Sequence, residues 1–286
     1  MKVISKVCSD TFSTEAFFIN GVKGRLFAVY IAPLGQPCGS ILHIPAFMEE
    51  MNRCRNLVTT QARELAAQGF ACLILDLYGT GDSQGELSVA EWHLWKQDIE
   101  IVAKWLERKS NIKVILWGMR LGALLAADVA NACPKRFQRL LLWQPVPNGR
   151  AYLTQILRLR MAYLVSHDLP QETTGDMRNQ LVAGKFVEIA GYVLSREMST
   201  AIDDVVMKDF KGLANCMIDW FENVSDVESQ LSVGGQKVVN ELEAIGARVT
   251  IHTYMSPRVW QLSERNYAPN LLEKTTAALL ELTYDH

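Results

Sequence analysis

Short apolar runs alternate with longer amphipathic segments along much of the chain, and this alternation constrains the fold more than any other feature. The runs "GSILHI", "ACLILDL", "KVILWG" and "RLLLW" are typical of buried parallel strands. Helical patterns follow the first three of these runs, at 56–70, 88–109 and 120–133. The sequence therefore predicts an α/β fold whose mostly parallel sheet is covered by helices on both faces.

The alternation is interrupted once, which predicts an insertion. Residues 150–213 have a helical pattern with no clear strand, and the strand pattern resumes at "ANCMIDWF" and "ARVTIHTY". Helices are predicted at 233–245 and 270–282, and Asn20-Gly21 predicts a hairpin near the N-terminus. We expect one domain whose core comes from 1–149 and 214–286, with a helical cap at 150–213.

The segment Ile115–Ala126, "ILWGMRLGALLA", has the layout of a nucleophile elbow: a strand, two glycines four positions apart, and a helix. A serine hydrolase carries G-x-S-x-G at this point. This chain has Arg120 in place of the serine. A guanidinium has no available lone pair and cannot be acylated.

Three motifs occur in the order "IPAFMEEMNRCR", "LDLYGTGDSQGE" and "LWGMRLGALLA". Together they resemble one bacterial family of the α/β-hydrolase fold, the exosortase A system-associated hydrolases of type 2. The resemblance implies an α/β-hydrolase fold with an inserted cap. It also implies that the arginine in the elbow is a family feature. The implied partners are components of a protein-sorting and exopolysaccharide-export system.

The other parts of a Ser-His-Asp triad are also hard to find. The base is expected after the last strand, but "MSPRVWQLSERNYAP" contains no histidine. His43 lies near the end of an early strand and is a candidate, although a structural role is favoured. Glu222 and Asp226 are candidate acids after a late strand, and Glu49 and Glu50 lie in the loop after "GSILHI". No catalytic residue is assigned.

Arg120 has three interpretations. It could pair with Glu49 or Glu50 and fill a dead site, because an unpaired buried guanidinium costs several kcal/mol. It could bind an anionic or acyl ligand, because helix N-termini and arginines both attract anions. The expected ligand-binding residues are then Arg120, Met119, Glu50, Phe47 and Arg55. Lastly, the chain could be an unusual hydrolase of a cell-surface or lipid-linked substrate. A scaffold that binds protein partners through the cap is a further class.

Composition limits the remaining function classes. The formal net charge of −2 gives no basic field for nucleic acid. No apolar run approaches the roughly 18–20 residues that a membrane helix needs, and the first residues do not resemble a secretory signal. The six cysteines have no spacing typical of zinc sites. We therefore expect a cytoplasmic protein with no metal or cofactor.

Overall fold

The computed structural model describes residues 3–226, 231–262 and 267–281. Within these ranges the strands are β1 (Val3–Cys8), β2 (Phe12–Asn20), β3 (Arg25–Pro33), β4 (Gly39–Ile44), β5 (Phe70–Leu75), β6 (Val114–Met119), β7 (Arg139–Trp143), β8 (Val187–Ile189), β9 (Tyr192–Leu194), β10 (Met217–Asn223) and β11 (Arg248–Tyr254). The helices are α1 (Glu49–Ala67), α2 (Trp92–Ser110), α3 (Leu121–Ala132), α4 (Gly149–Ser166), α5 (Thr174–Val182), α6 (Arg196–Asp204), α7 (Val233–Ala244) and α8 (Pro269–Leu280). Single 3-10 turns lie at Leu87–Val89 and Met207–Asp209.

The main sheet has the order β1-β2-β3-β5-β4-β6-β7-β10-β11. The strands from β5 to β11 in this order are parallel, whereas β3 runs antiparallel to both of its neighbours. The predicted parallel sheet and the predicted β2–β3 hairpin are both confirmed. The sequence did not predict β1, because all six of its residues are exposed and show no alternation of burial.

Helices cover both faces of the sheet, as the sequence predicts. Leu65 of α1 and Leu271 of α8 belong to one apolar cluster, while Trp95 of α2, Leu124 of α3 and Val238 of α7 belong to the other. The sheet therefore lies between two packed layers, and the ends of its parallel strands point toward one edge, where α/β proteins place their sites.

The cap differs from its prediction. A helical pattern without strands was expected, but β8 and β9 form an antiparallel hairpin between α5 and α6. Ala190 and Gly191 make its turn with φ of 51° and 85°, the left-handed conformation that short hairpins need. The short apolar run "FVEIAGYVL" fits both the helical period and the strand period. Ala-Gly is also a weaker turn signal than Asn-Gly. The boundaries at 150 and 213 stay predictions.

Helix α1 begins earlier than expected, and this changes the setting of the candidate acids. The helix was predicted from residue 56, with Glu49 and Glu50 in a preceding loop. The structure begins it at Glu49. Two carboxylates in the first turn suit the positive end of the helix dipole. The closing helix α8 ends at Leu280, and the predicted extension to Leu282 lies outside the described residues, as does His286.

Candidate functional site

The elbow survives with an arginine at its apex. Arg120 lies between β6 and α3 with φ of 55° and ψ of −120°, a conformation that L-residues rarely adopt and that clusters at functional sites. Its N–H donates to the carbonyl of Trp143 at 3.0 Å. A Cβ on Gly122 would lie 2.2 Å from the Pro45 oxygen, and one on Gly118 would lie 2.5 Å from Ala123 Cα. Both glycines are therefore required by close packing.

The side chain of Arg120 is buried, with 11% of its surface exposed. Its Nε donates to Glu50 Oε1 at 3.2 Å, and Nη1 reaches the carbonyl oxygen of Gln144 at 3.5 Å. Within the described residues Nη2 donates no hydrogen bond. The rings of Trp260 and Tyr152 lie 4.9 Å and 5.5 Å from the guanidinium carbon. One contact with a carboxylate thus holds the cation and leaves part of its donor fork unused.

Glu50 connects the elbow to the cap. Its Oε2 accepts a hydrogen bond from the hydroxyl of Tyr152 on α4 at 2.8 Å, while Oε1 accepts from Arg120. Burial raises the pKa of Glu50 above its ordinary value, although Arg120 and Tyr152 act to lower it. Burial also raises the pKa of Tyr152 well above its ordinary value, so this tyrosine is a donor at neutral pH.

Three residues that follow parallel strands, Arg120 among them, have strained backbones. Met48, in the loop after β4, has φ of 52°, and Gln144, directly after β7, has φ of 43°. Gln144 also accepts a hydrogen bond from the N–H of Asn223 through Oε1, at 2.7 Å. Together with Arg120, these residues hold positive φ without being glycine, at a cost of order 1–3 kcal/mol each. This concentration of strain marks the carboxyl edge of the sheet as the candidate site.

A cavity of about 620 Å³ lies between this edge and the cap. The volume is within the range of small-molecule sites. Arg120, Glu50, Tyr152 and Trp260 contribute to its wall, together with Phe47, Met48, Glu49, Arg53, Gln155, Ile156, Leu159, Ile189, Ala190, Arg258 and Gln261. Core and cap therefore enclose the guanidinium jointly.

The cavity brings together only some of the residues predicted to bind a ligand. Arg120, Glu50 and Phe47 line it, and so does Glu49, whose carboxylate lies 3.7 Å from Arg53 Nε. Met119 and Arg55 instead line a separate void of about 10 Å³. Positions in the sequence alone could not show which predicted residues line the large cavity and which line the small void. Glu50 and Arg55, for example, lie on successive turns of one helix but line different spaces.

His43 lies beside the same small void, away from the large cavity. Both of its ring nitrogens are buried and have no hydrogen-bond partner among the described residues, and its ring packs edge-on against Trp117 at 4.6 Å. Burial lowers the pKa of His43 to about 3, with a smaller contribution from Arg55. A histidine in this setting is a packed core residue and not a base near Arg120.

The late acids have separate surroundings. Glu222 is buried near the end of β10 and accepts hydrogen bonds from Trp220 Nε1 at 2.9 Å and from the N–H of Ser232 at 2.8 Å. Asp226 is exposed and accepts from the hydroxyl of Ser225. His252 lies within β11 and contacts Asp219 at 3.0 Å. These contacts do not build a triad around the elbow.

Sequence reasoning missed Trp260 and Tyr152. Trp260 follows the last strand, in the region where a base is expected, and its ring lies 4.9 Å from the guanidinium carbon of Arg120. Tyr152 lies in a segment predicted only as amphipathic helix. Among the described residues, no group of three or more His, Cys, Asp or Glu side chains is arranged to hold a metal ion.

The strand order, the elbow and the inserted cap define a protein of the α/β-hydrolase fold. Residues 35–193, more than half of the chain, match the sequence profile of the family described as serine aminopeptidase, S33. The chain belongs to this family, although its elbow carries Arg120. No curated protein sequence is significantly similar to it.

Solved structures agree with this fold at low sequence identity. Est1E from Butyrivibrio proteoclasticus, with ferulic acid bound, superposes with a TM-score of 0.63 at 15% identity, covering 94% of this chain and 98% of that one. A thermostable carboxyl esterase from Bacillus coagulans gives 0.62 at 14%, covering 97% and 99%. Carboxyl esterase 2 from Tuber melanosporum gives 0.57 at 15%, covering 94% and 87%. No helix within the described ranges is long and apolar enough to cross a membrane.

Proposed function

We propose that this protein has lost serine chemistry and uses the old active site to bind a small anionic ligand with an apolar body. From the motif resemblance we also propose that it acts in the cytoplasm as an accessory protein of an exosortase-associated export system. Loss of its gene should then alter surface polysaccharide or protein sorting, and unchanged export would contradict that role.

The observation that carries the binding proposal is the unused donor edge of Arg120. A bidentate arginine–carboxylate pair has two parallel hydrogen bonds. Here Glu50 takes one, and Nη2 has no partner within the described residues while the side chain lines a cavity. The N-terminus of α3 adds its own preference for negative charge at this point. A ligand anion would satisfy both.

The walls of the cavity support an amphipathic ligand. Arg53, Arg120 and Arg258 line it together with Glu49 and Glu50, and Arg120 is the buried cation among them. On the cap side, Ile156, Leu159 and Ile189 present apolar surface. An acid with an aliphatic chain matches this division between charged and apolar walls.

A titration with decanoate tests the proposal. Decanoate should quench the fluorescence of the protein by binding beside Trp260, and uncharged decanol should bind much more weakly. Arg120→Met should weaken decanoate binding by at least about tenfold, since a charge-assisted hydrogen bond contributes about 1.5–3 kcal/mol. Arg136→Met is the matched control, because Arg136 pairs with Glu107 elsewhere. Equal affinity in Arg120→Met and wild type would contradict an anion site at the elbow.

A genuine hydrolase with unusual residues is the second candidate. It is favoured by family membership and by Glu50, a buried carboxyl of raised pKa that faces the cavity. Such a carboxyl is a general base of the kind that could activate water. Wild-type protein should then hydrolyse 4-nitrophenyl decanoate, and Glu50→Gln should abolish the activity. Stoichiometric labelling of a serine by a fluorophosphonate probe would instead contradict both candidates.

A further inference from the structure

The cavity holds one deeply buried cation and one buried carboxylate that already uses it. We infer that the ligand is a monoanion with an apolar body, and that Glu50 takes up one proton from solvent when this ligand binds to Arg120. The inference rests on the proposed binding function and names its ligand class and its pH dependence.

The first step is competition for a single guanidinium. An anion that reaches the free edge of Arg120 comes close to the Glu50 carboxylate, which contacts Nε of the same group at 3.2 Å. Both residues are 9% exposed, so water screens the repulsion between the two anions only weakly. Two neighbouring carboxylates in such a place do not both remain ionised. One of them must leave or be protonated.

The second step is that Glu50 can accept the proton and keep its hydrogen bond from Tyr152. In its neutral form, one oxygen can still accept from Tyr152, whose hydroxyl lies 2.8 Å from Oε2. The protonated oxygen becomes a donor toward the incoming anion. Burial already favours the neutral form, since it raises the pKa of this carboxyl in the free protein. The ligand anion then replaces Glu50 as the counter-ion of Arg120.

The third step concerns the other titratable groups that face Glu50. Tyr152 on α4 and Cys54 on α1 are neutral near pH 7, because burial raises the pKa of Cys54 to about 12 and that of Tyr152 well above 10. Burial raises the pKa of Tyr254 on β11 as well. Glu49, the other carboxyl that lines the cavity, lies 3.7 Å from Arg53 Nε. Glu50 is therefore the carboxyl in contact with Arg120 that can change its charge.

The fourth step limits the charge of the ligand. With Glu50 neutral, Arg120 and a monoanion balance each other. A dianion would leave one negative charge uncompensated beside Trp260 and Tyr152, whose ring faces repel anions. Arg258 is exposed and Arg53 is already held by the carbonyl of Gln261 at 2.8 Å. Neither is a buried second counter-ion for a dianionic head group.

Calorimetry of the full chain with decanoate tests the inference. Titrations at pH 6.5, 7.5 and 8.5, each in HEPES and in Tris, give the number of protons taken up from the difference in buffer ionisation heats. We expect uptake to approach one proton per decanoate as pH rises and Glu50 ionises in the free protein. The association constant should then fall toward tenfold per pH unit, by linkage. Decyl phosphate should bind more weakly than decanoate at pH 8.5.

A matched variant distinguishes failure of the proposed anion binding from failure of the inferred proton uptake. Glu50→Gln should bind decanoate with no proton uptake and with an affinity that does not change between pH 6.5 and 8.5. Binding to wild type without uptake at any pH would overturn the inference, because Glu50 would then have moved to another cation such as Arg53, and the binding function would stand. Tighter binding of decyl phosphate would overturn the monoanion class. Absence of binding by either anion would overturn the proposed function and the inference together.

Discussion

Helix α1 contributes one residue to each of two ion pairs, Arg55–Asp76 and Arg120–Glu50, whose surroundings differ. Near the middle of α1, Arg55 donates through Nη2 to both oxygens of Asp76, at 3.0 and 3.2 Å, and Asp76 also accepts from the N–H of Asp82 at 2.9 Å. In the first turn, Glu50 accepts one hydrogen bond from Arg120 and one from Tyr152. Both acids are buried. The difference in their surroundings distinguishes an ion pair with a structural role from one at a binding site.

The Asp76 pair is complete. Its carboxylate fixes the loop after β5, and its arginine is partly exposed, with 36% of the side chain accessible, so the remaining donors face solvent. The Arg120 pair is incomplete: the cation is buried, its backbone is strained, and a donor edge is left over beside a cavity. Natural sites accept strain and unused donors where a ligand completes them. The same type of ion pair therefore serves as a brace in one place and as a binding group in the other.

The largest expected effect comes from replacing each acid by its amide. Asp76→Asn should lower the free energy of unfolding by about 3 kcal/mol, because an amide nitrogen would face either Arg55 or the N–H of Asp82, donor against donor. Although it removes the carboxylate beside a buried guanidinium, Glu50→Gln should lower it by less than Asp76→Asn at pH 7. Its oxygen can accept from Arg120, and its NH₂ can donate to the Tyr152 hydroxyl oxygen. Urea denaturation of both variants checks the comparison.

The ratio of the losses in unfolding free energy for Glu50→Gln and Asp76→Asn tests whether Glu50 has a structural role. A Glu50→Gln loss as large as that of Asp76→Asn would mean that Glu50 is a structural counter-ion whose charge the fold requires. The binding interpretation of Arg120 would then lose its support. Equal urea m-values for wild type and both variants are the control, because they show that the same surface is exposed on unfolding.

The frame of this site could be predicted from sequence because it depends on local rules. The apolar strand, the two glycines and the Ala/Leu-rich helix define the elbow. Gly122 is needed because the start of α3 packs directly on the loop after β4. The pairing of Arg120 with Glu50 could also be expected, because a buried guanidinium needs an anion and the loop after β4 offered only two nearby. Charge and packing requirements were sufficient for these predictions.

The contents of the site could not be predicted, because they depend on contacts distant in sequence. Tyr152 reaches Glu50 across 102 residues, and Trp260 approaches Arg120 from the far end of the sheet. The start of α1 decides that Arg55 lies beside Asp76 instead of beside Arg120, and the motif "PAFMEEMN" does not reveal that start. The β8–β9 hairpin, which lines the cavity through Ile189, was hidden in a helical pattern.

Tyr152→Phe should have an intermediate effect and sharpens the comparison from the cap side. Removing the hydroxyl leaves the phenyl ring in place and deletes one hydrogen bond to a buried carboxylate, so we expect a loss of about 1.5 kcal/mol in the free energy of unfolding. Decanoate should bind the variant somewhat more tightly at pH 7.5, because Glu50 loses a donor that favours its charged form. Urea denaturation and calorimetry measure the two effects.

Tyr163→Phe is the matched control, since Tyr163 lies on the same helix with 55% of its surface exposed. Weaker decanoate binding in Tyr152→Phe would show that the hydroxyl contacts the ligand directly.

The smallest expected effect is a change in how stability depends on pH. The pKa of Glu50 is raised in the folded state, so this carboxyl still holds its proton at pH values where the unfolded chain has released it. Its contribution to the free energy of unfolding is therefore greatest at low pH. The contribution falls as pH rises from about 4.3 to the folded pKa, and is constant above it. Arg120 and Tyr152 oppose the effect of burial, which keeps the change small.

Glu50→Gln should accordingly give a flatter curve of unfolding free energy between pH 4.5 and 8. Asp98 must be separated from it, because burial raises the pKa of that acid to about 6 and its contribution falls over part of the same range. Asp98 lies on α2 and accepts from the N–H of Val22 at 2.7 Å, outside the cavity. The measurement is therefore made in the Asp98→Asn background. If adding Glu50→Gln leaves the remaining slope unchanged, Glu50 is fully ionised over this range and acts as a permanent counter-ion of Arg120.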